Sequence, residues 1–291
     1  MIRRRAWRFR DGMALAALVA LAVAATWGVW RDIVEVVRNN EEQSHVLLAP
    51  VVAAWLFWVR RERARLTSPT WSLWGAPVII GGWALAWYGF GAGHLILQHF
   101  GALLMVFGAS LTVLGVDFVV KFAPAFAALA FLMPVPGMIR HQIALPLQEA
   151  TARVTHFIME LIGQPVTVAG NVLQINGHDV AVAEACNGMR MVSALGLVAF
   201  AFVFSTPMRN WVRLLILAIS PIVALIVNVV RLGPTVLMYG YADFETAELF
   251  HDISGWAVLG LALGILWAVL ATLRWLEVPV APFAAARSAR A

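Results

Sequence analysis

The chain has 291 residues, 62% of them hydrophobic and 13% charged, with 13 tryptophans and a mean hydropathy of +0.81. That balance leaves too little polar surface for a water-soluble globule and marks a polytopic membrane protein. The net charge of +5 does not point to nucleic acid, because the basic residues, all arginine except Lys121, lie in short clusters between apolar runs, where membrane topology accounts for them.

In chain order, Arg3, Arg4, Arg5, Arg8 and Arg10 precede a first apolar run, as in a signal peptide. The run lacks a small-residue cleavage site and is long enough to span, so it reads as a retained first helix. A spanning helix needs roughly 20 apolar residues. Stretches near residues 13 to 30, 45 to 59, 72 to 90, 94 to 114, 117 to 135, 189 to 206, 211 to 230 and 253 to 273 qualify or nearly do. The fourth and fifth are almost continuous, interrupted by Gly115, Asp117 and Lys121. With the N-terminus in the cytoplasm, the arginine clusters at 3–10, 60–65, 209–213 and 274–290 fall inside. Arg31, Arg38, Arg140, Arg153, Arg190 and Arg231 fall outside. The positive-inside rule thus favours about eight spans with both termini cytoplasmic.

The segment from about 136 to 188 then lies outside. Pro134-Val135-Pro136-Gly137 stops a helix, and an amphipathic stretch from Ile143 to Ile162 is expected to lie along the membrane surface. Apolar positions alternate through 164–168, 171–175 and 180–182 around the Asn176-Gly177 turn, which predicts a small β-hairpin. The expected fold class is an all-α polytopic membrane protein with this hairpin and surface helix placed before the only cysteine, Cys186. Residues 1–276 read as a single integral membrane domain and 277–291 as a disordered cytoplasmic tail.

A lone cysteine ordinarily fills space as a small buried hydrophobe, and it forms no intramolecular disulfide. The topology raises another reading. The sixth span enters just after Cys186, the seventh emerges at Asn228 to Arg231, and the eighth enters just after His251, so three reactive side chains share one depth. At the start of a descending helix, exposed N–H groups and the macrodipole favour thiolate and disfavour imidazolium. Arg231, read at the end of its helix, can donate to an oxyanion. Cysteine, histidine and arginine suffice for acyl transfer.

Blander readings stand beside this one. Arg231 could be a snorkelling anchor and His251 a helix-start decoration. Arg190, one turn after Cys186, either pairs with Glu184 or contacts substrate. Asn228, one turn before Arg231, either orients the guanidinium or makes a buried interhelical hydrogen bond. The other histidines, His45, His94, His99, His141, His156 and His178, have no paired ligand spacing, so neither a metal nor a cofactor is expected. A transporter using Arg231 and His251 in the membrane, or a nonenzymatic polysaccharide-export assembly factor, are the rival classes.

The blocks Glu184-Ala185-Cys186-Asn187-Gly188-Met189-Arg190, Asn228-Val229-Val230-Arg231 and His251-Asp252-Ile253-Ser254-Gly255 resemble the exosortase branch of the exosortase/archaeosortase family, in order and spacing. Ser44-His45, Pro134-Val135-Pro136 and the hairpin extend the resemblance over roughly residues 40 to 275. Asn187 departs from it, where the family more often has serine. A histidine at 251, where archaeal relatives have arginine, favours the bacterial branch. The resemblance implies a multi-spanning cysteine protease or transpeptidase of the bacterial inner membrane, acting on its extracytoplasmic face. Its partners would be exported proteins whose C-terminal sorting tail carries a Pro-Glu-Pro-like motif, a transmembrane helix and a basic cluster. It assigns Cys186 as nucleophile, His251 as acid/base and Arg231 as transition-state stabiliser; Arg190, Glu184 and Asn228 are supporting candidates by their positions alone. Transfer to a lipid or polysaccharide acceptor, as opposed to hydrolysis, stays open.

Overall fold

The computed structural model describes residues 7–135, 137–182, 188–276 and 278–280. The chain divides into two compact units, Met1–Pro136 and Gly137–Ala291.

In the first unit, α1 (Phe9–Ala25) and α2 (Trp27–Asn39) replace the single span expected near 13 to 30. They are bent by 76°. At the bend the Thr26 hydroxyl donates to the Ala22 carbonyl at 2.8 Å and accepts from Trp30 Nε1 at 3.0 Å, which fixes the break with local side-chain bonds. A 3₁₀ stretch (Glu41–Leu47) leads into α3 (Leu48–Val59), and a second (Arg61–Leu66) leads towards α4 (Gly75–Gly91). Then come α5 (Leu95–Lys121), α6 (Ala123–Ala128) and a short 3₁₀ turn (Leu129–Leu132). Gly115 inside α5 has φ 79°, so the expected interruption appears as a kink within one helix. Asp32 on α2 reaches His99 of α5, whose side chain is buried, at 2.6 Å.

The α4–α5 hairpin packs more closely than ordinary side chains allow. Gly75, Gly82 and Gly89 on α4 recur every seven residues, as do Gly101, Gly108 and Gly115 on α5. A Cβ on Gly82 would lie 2.7 Å from the Gly101 carbonyl oxygen, and one on Gly101 would lie 2.5 Å from that of Gly82. Without a hydrophobic effect between helices in lipid, such backbone approach lets dispersion contacts hold them. The outer face of α4 carries exposed Ile80, Trp83, Trp87 and Phe90.

The second unit begins with α7 (Gly137–Leu161), followed by a three-stranded antiparallel sheet of β1 (Val166–Ala169), β2 (Val172–Ile175) and β3 (His178–Ala181) in sequential order. The expected hairpin is its β2–β3 half, with Ile175 opposite His178. Asn176 (φ 50°) and Gly177 (φ 79°) are both left-handed, as a type I′ turn requires. Between β1 and β2 Gly170 alone is left-handed, the II′ pattern. Val166 pairs with Ile175 and Leu173 with Val180, so the sheet buries one apolar face. That face packs on Ala152 and Met159 of α7 and on Leu232 and Val236 of the ninth helix.

The unit ends in α8 (Gly188–Ser205), α9 (Asn210–Tyr241) and α10 (Phe244–Trp275). Met191, Leu195, Ala199 and Val203 on α8, and Val258, Ala262, Leu266 and Leu270 on α10, form i, i+4 ladders. These ladders share a core with Val212, Ile216, Ala224 and Val227 of α9. Among the described residues, α5, α9 and α10 are long and apolar enough to cross a membrane, and the bent α1–α2 pair makes a fourth candidate. The stretches expected to span near 45 to 59, 117 to 135 and 189 to 206 are shorter apolar helices, and α4 has 17 residues. The protein is thus mostly helical, with several apolar helices and one small sheet.

Candidate active site

The α9–α10 hairpin brings Arg231 and His251 into contact. Arg231 Nη2 donates to the His251 carbonyl oxygen at 2.8 Å and lies 3.1 Å and 3.2 Å from its Nδ1 and Nε2. A ring nitrogen accepts an N–H only through a lone pair, so the ring contact is attractive for the neutral imidazole. Arg231 Nε donates to Ser254 Oγ at 3.0 Å, and Ser254 Oγ in turn donates to the His251 carbonyl at 2.9 Å. The guanidinium is therefore held at Nε and Nη2, and among the described residues Nη1 has no hydrogen-bond partner. A Cβ on Gly255 would lie 3.6 Å from Nη2, in ordinary contact, so the absent side chain leaves the guanidinium a flat floor.

Both residues lie inside helices, which corrects the expectation that they occupy helix ends. α9 continues ten residues past Arg231, because Leu232 and Val236 form an apolar ridge that the sheet covers. Asn176 Nδ2 donates to the Gly240 carbonyl at 3.1 Å, and Tyr241 donates to Gln164 at 2.7 Å. α10 begins at Phe244, two turns before His251, capped by Asp243, which accepts from the Thr246 N–H at 2.8 Å. The macrodipole acts within the first and last turns, so it does not set the charge of either residue. The Thr246 backbone N–H and then its hydroxyl hold the Asp243 carboxyl below its usual range. With the folded value depressed, the cap's contribution is present at neutral pH and is lost as acid protonates that carboxyl.

Asn228 takes neither of its expected partners. It is 0% exposed, and its Nδ2 and Oδ1 have no hydrogen-bond partner among the described residues. The Thr155 hydroxyl on α7 is likewise buried and unpartnered. An orphaned buried polar group costs about 1–3 kcal/mol. Asn228→Leu, close in shape and apolar, is therefore expected to raise the unfolding temperature of the detergent-solubilised protein. A lower temperature would mean that the amide is partnered in the native bilayer. Cys186 and Glu184 lie outside the described residues. Arg190 falls in the first turn of α8. Among the described residues, no three His, Cys, Asp or Glu side chains are placed to hold a metal ion.

Sequence reasoning did not single out Ser254 or Gly255 for a role, although both stand in the block that starts at His251. Their signal was spacing: residue 254 falls one turn after 251 on the same helix face.

The family model for transmembrane exosortases matches residues 30–268, a region that contains α9, the Arg231–His251 contact and Ser254. The chain belongs to the transmembrane exosortase family. The match begins within α2 and ends within α10, so it takes in both units of this exosortase. No curated protein and no solved structure matches the exosortase chain.

Proposed function

We propose that this exosortase is a membrane-embedded cysteine protease or transpeptidase that removes the C-terminal sorting tail of exported proteins. Its spans number about eight, both termini are cytoplasmic, and its site opens on the extracytoplasmic face of the inner membrane. The Cys186 thiol gives its proton to the neutral His251 ring and attacks the tail's scissile carbonyl as thiolate, and the oxyanion that forms is met by the Arg231 guanidinium. The C–N bond breaks, His251 gives a proton to the leaving amine, and the acyl group remains as a thioester on Cys186. Water or an acceptor nucleophile then takes that acyl group and releases the thiol. The observation that supports this reading most is the hydrogen-bonded Arg231–His251 pair on adjacent helices of an exosortase.

The test is capture of the thioester. Exported proteins of the same genome that end in an apolar helix and an arginine cluster are co-expressed with the enzyme, and membranes are treated with hydroxylamine. A tail-less hydroxamate is expected with the wild type and none with Cys186→Ala, which should leave the precursor intact at normal enzyme level. Normal tail removal by Cys186→Ala would sink the reading.

A further inference from the structure

The sheet ends on its β3 side in an open edge. In the antiparallel β2–β3 pair Ile175 and His178 flank the two-residue turn, and just past the strand the Val182 N–H donates to the Asn171 carbonyl at 2.9 Å. Residues that exchange ladder bonds alternate along an antiparallel strand, so His178, Val180 and Val182 turn their backbone groups towards β2. The N–H and C=O groups of Asp179 and Ala181 therefore point the other way. Among the described residues nothing bonds to them. Asp179 is exposed and Ala181 half-buried.

An exposed edge is ordinarily blunted by lysine, proline or a bulge, because it pairs with whatever extended chain it meets. The register of β3 has no bulge, and His178-Asp179-Val180-Ala181 holds neither proline nor lysine. Its one carboxylate is turned back onto β2, where Asp179 Oδ1 accepts from Gln174 Nε2 at 2.9 Å. The other edge is treated differently: β1 follows directly on Pro165 and packs on α7, with Val166 buried. β3 packs instead on α9, the helix that carries Arg231. In the chain, Cys186 stands five residues beyond Ala181, a separation that reaches at most about 18 Å.

We propose that the outer edge of β3 is a binding site for an extended peptide, which adds to the sheet as an antiparallel fourth strand. Two residues of that peptide exchange N–H···O=C bonds with Asp179 and Ala181. Successive side chains point to opposite faces, so the peptide residues opposite Val180 and Val182 continue the apolar face on which those two valines are buried. The residues opposite Asp179 and Ala181 face away from it. The site therefore takes a segment with apolar residues at every second position. A helical segment spends its amides internally and has none to offer, which selects for a chain already extended. That this chain is the part of an exported protein held for cleavage rests on the function proposed above, whereas the edge itself rests on the register of β3.

The probe is N-acetyl-Val-Thr-Val-Thr-Val-amide, with binding to the full-length protein in nanodiscs followed by saturation-transfer NMR. Methylating both threonine amide nitrogens, which face β3, is expected to abolish binding, whereas methylating that of the central valine, which faces away, should leave the affinity within about twofold. Ala181→Pro removes one outward N–H and no ladder bond, since proline is tolerated where its nitrogen faces out of an edge strand. It is expected to weaken the unmethylated probe about fivefold, the worth of one hydrogen bond, with the unfolding temperature unchanged. No binding, or equal loss on the two methylations, overturns the site even if Ala181→Pro fails to accumulate. Wild-type affinity in Ala181→Pro overturns it too, as does a dimer that this variant converts to monomer, which would give the edge to a second copy. If the alternating pattern appears while Cys186→Ala still processes tails, the proposed activity fails and the site stands. If tail removal needs Cys186 and the pattern is missing, the site fails alone.

Discussion

Arg231→Lys is expected to lower kcat/KM for tail removal about a hundred- to a thousandfold, the range seen when an oxyanion donor is lost. Charge is conserved in this substitution, so the loss must come from geometry. A guanidinium is planar and presents its donors in a fixed fork. Here Nε is spent on Ser254 and Nη2 on His251, and that engagement aims Nη1. An ammonium is a single point on a flexible stem. It can sit on the His251 carbonyl or reach the oxyanion, but it cannot do both. Ser254→Ala should cost the wild type about tenfold and the Arg231→Lys enzyme much less, because Ser254 acts through the guanidinium that lysine lacks. Tail removal at the wild-type rate by Arg231→Lys would exclude Arg231 from holding the oxyanion.

Gly101→Leu is expected to abolish accumulation of folded protein, read as loss of the monodisperse peak in detergent size-exclusion chromatography. The obstruction is backbone. A Cβ at position 101 would meet the Gly82 carbonyl oxygen at 2.5 Å, the Ala86 nitrogen at 2.6 Å and the Ala86 Cβ at 2.8 Å. None of these atoms can swing aside, so α4 and α5 would have to separate along their length. Overpacking that a core can absorb costs about 1–3 kcal/mol, and a rigid wall on both sides puts this case above that range. Gly81 is the internal control. A Cβ there meets nothing within 4 Å, and Gly81→Ala should be neutral or stabilising by about 0.5–1 kcal/mol. Equal behaviour of the two variants would mean that the helices do not meet along the glycines.

What could be read from the sequence follows the strength of each local signal. The β2–β3 hairpin was legible because Asn176-Gly177 demands a left-handed turn and the flanking apolar residues alternate. Helix ends were not. Arg231 and the polar group at His251-Asp252 look like span boundaries in a hydropathy profile, whereas Leu232 and Val236 extend α9 because a sheet from earlier in the chain covers them. That partner is invisible to a local window. The seven-residue glycine spacing was present in the sequence but submerged in uniformly apolar surroundings, where small residues register as a little less hydrophobic and nothing more. The expected common depth put Arg231 and His251 near one another, but the hydrogen bond between them was not foreseen, because it depends on helix faces and not on helix ends. The second hold on the guanidinium required knowing which face of α10 Ser254 occupies.

α9 and α10 are joined by Ala242 and Asp243 alone, so both halves of the Arg231–His251 pair lie within a single helical hairpin. An arginine entering a bilayer alone pays heavily for its lost hydration. Arg231 can enter with the His251 carbonyl and the Ser254 hydroxyl already in place of water, because the groups that accept from it are synthesised only some twenty residues later. The last two helices are thus suited to leave the insertion machinery as one self-satisfied piece, before the rest of the protein has to close around them.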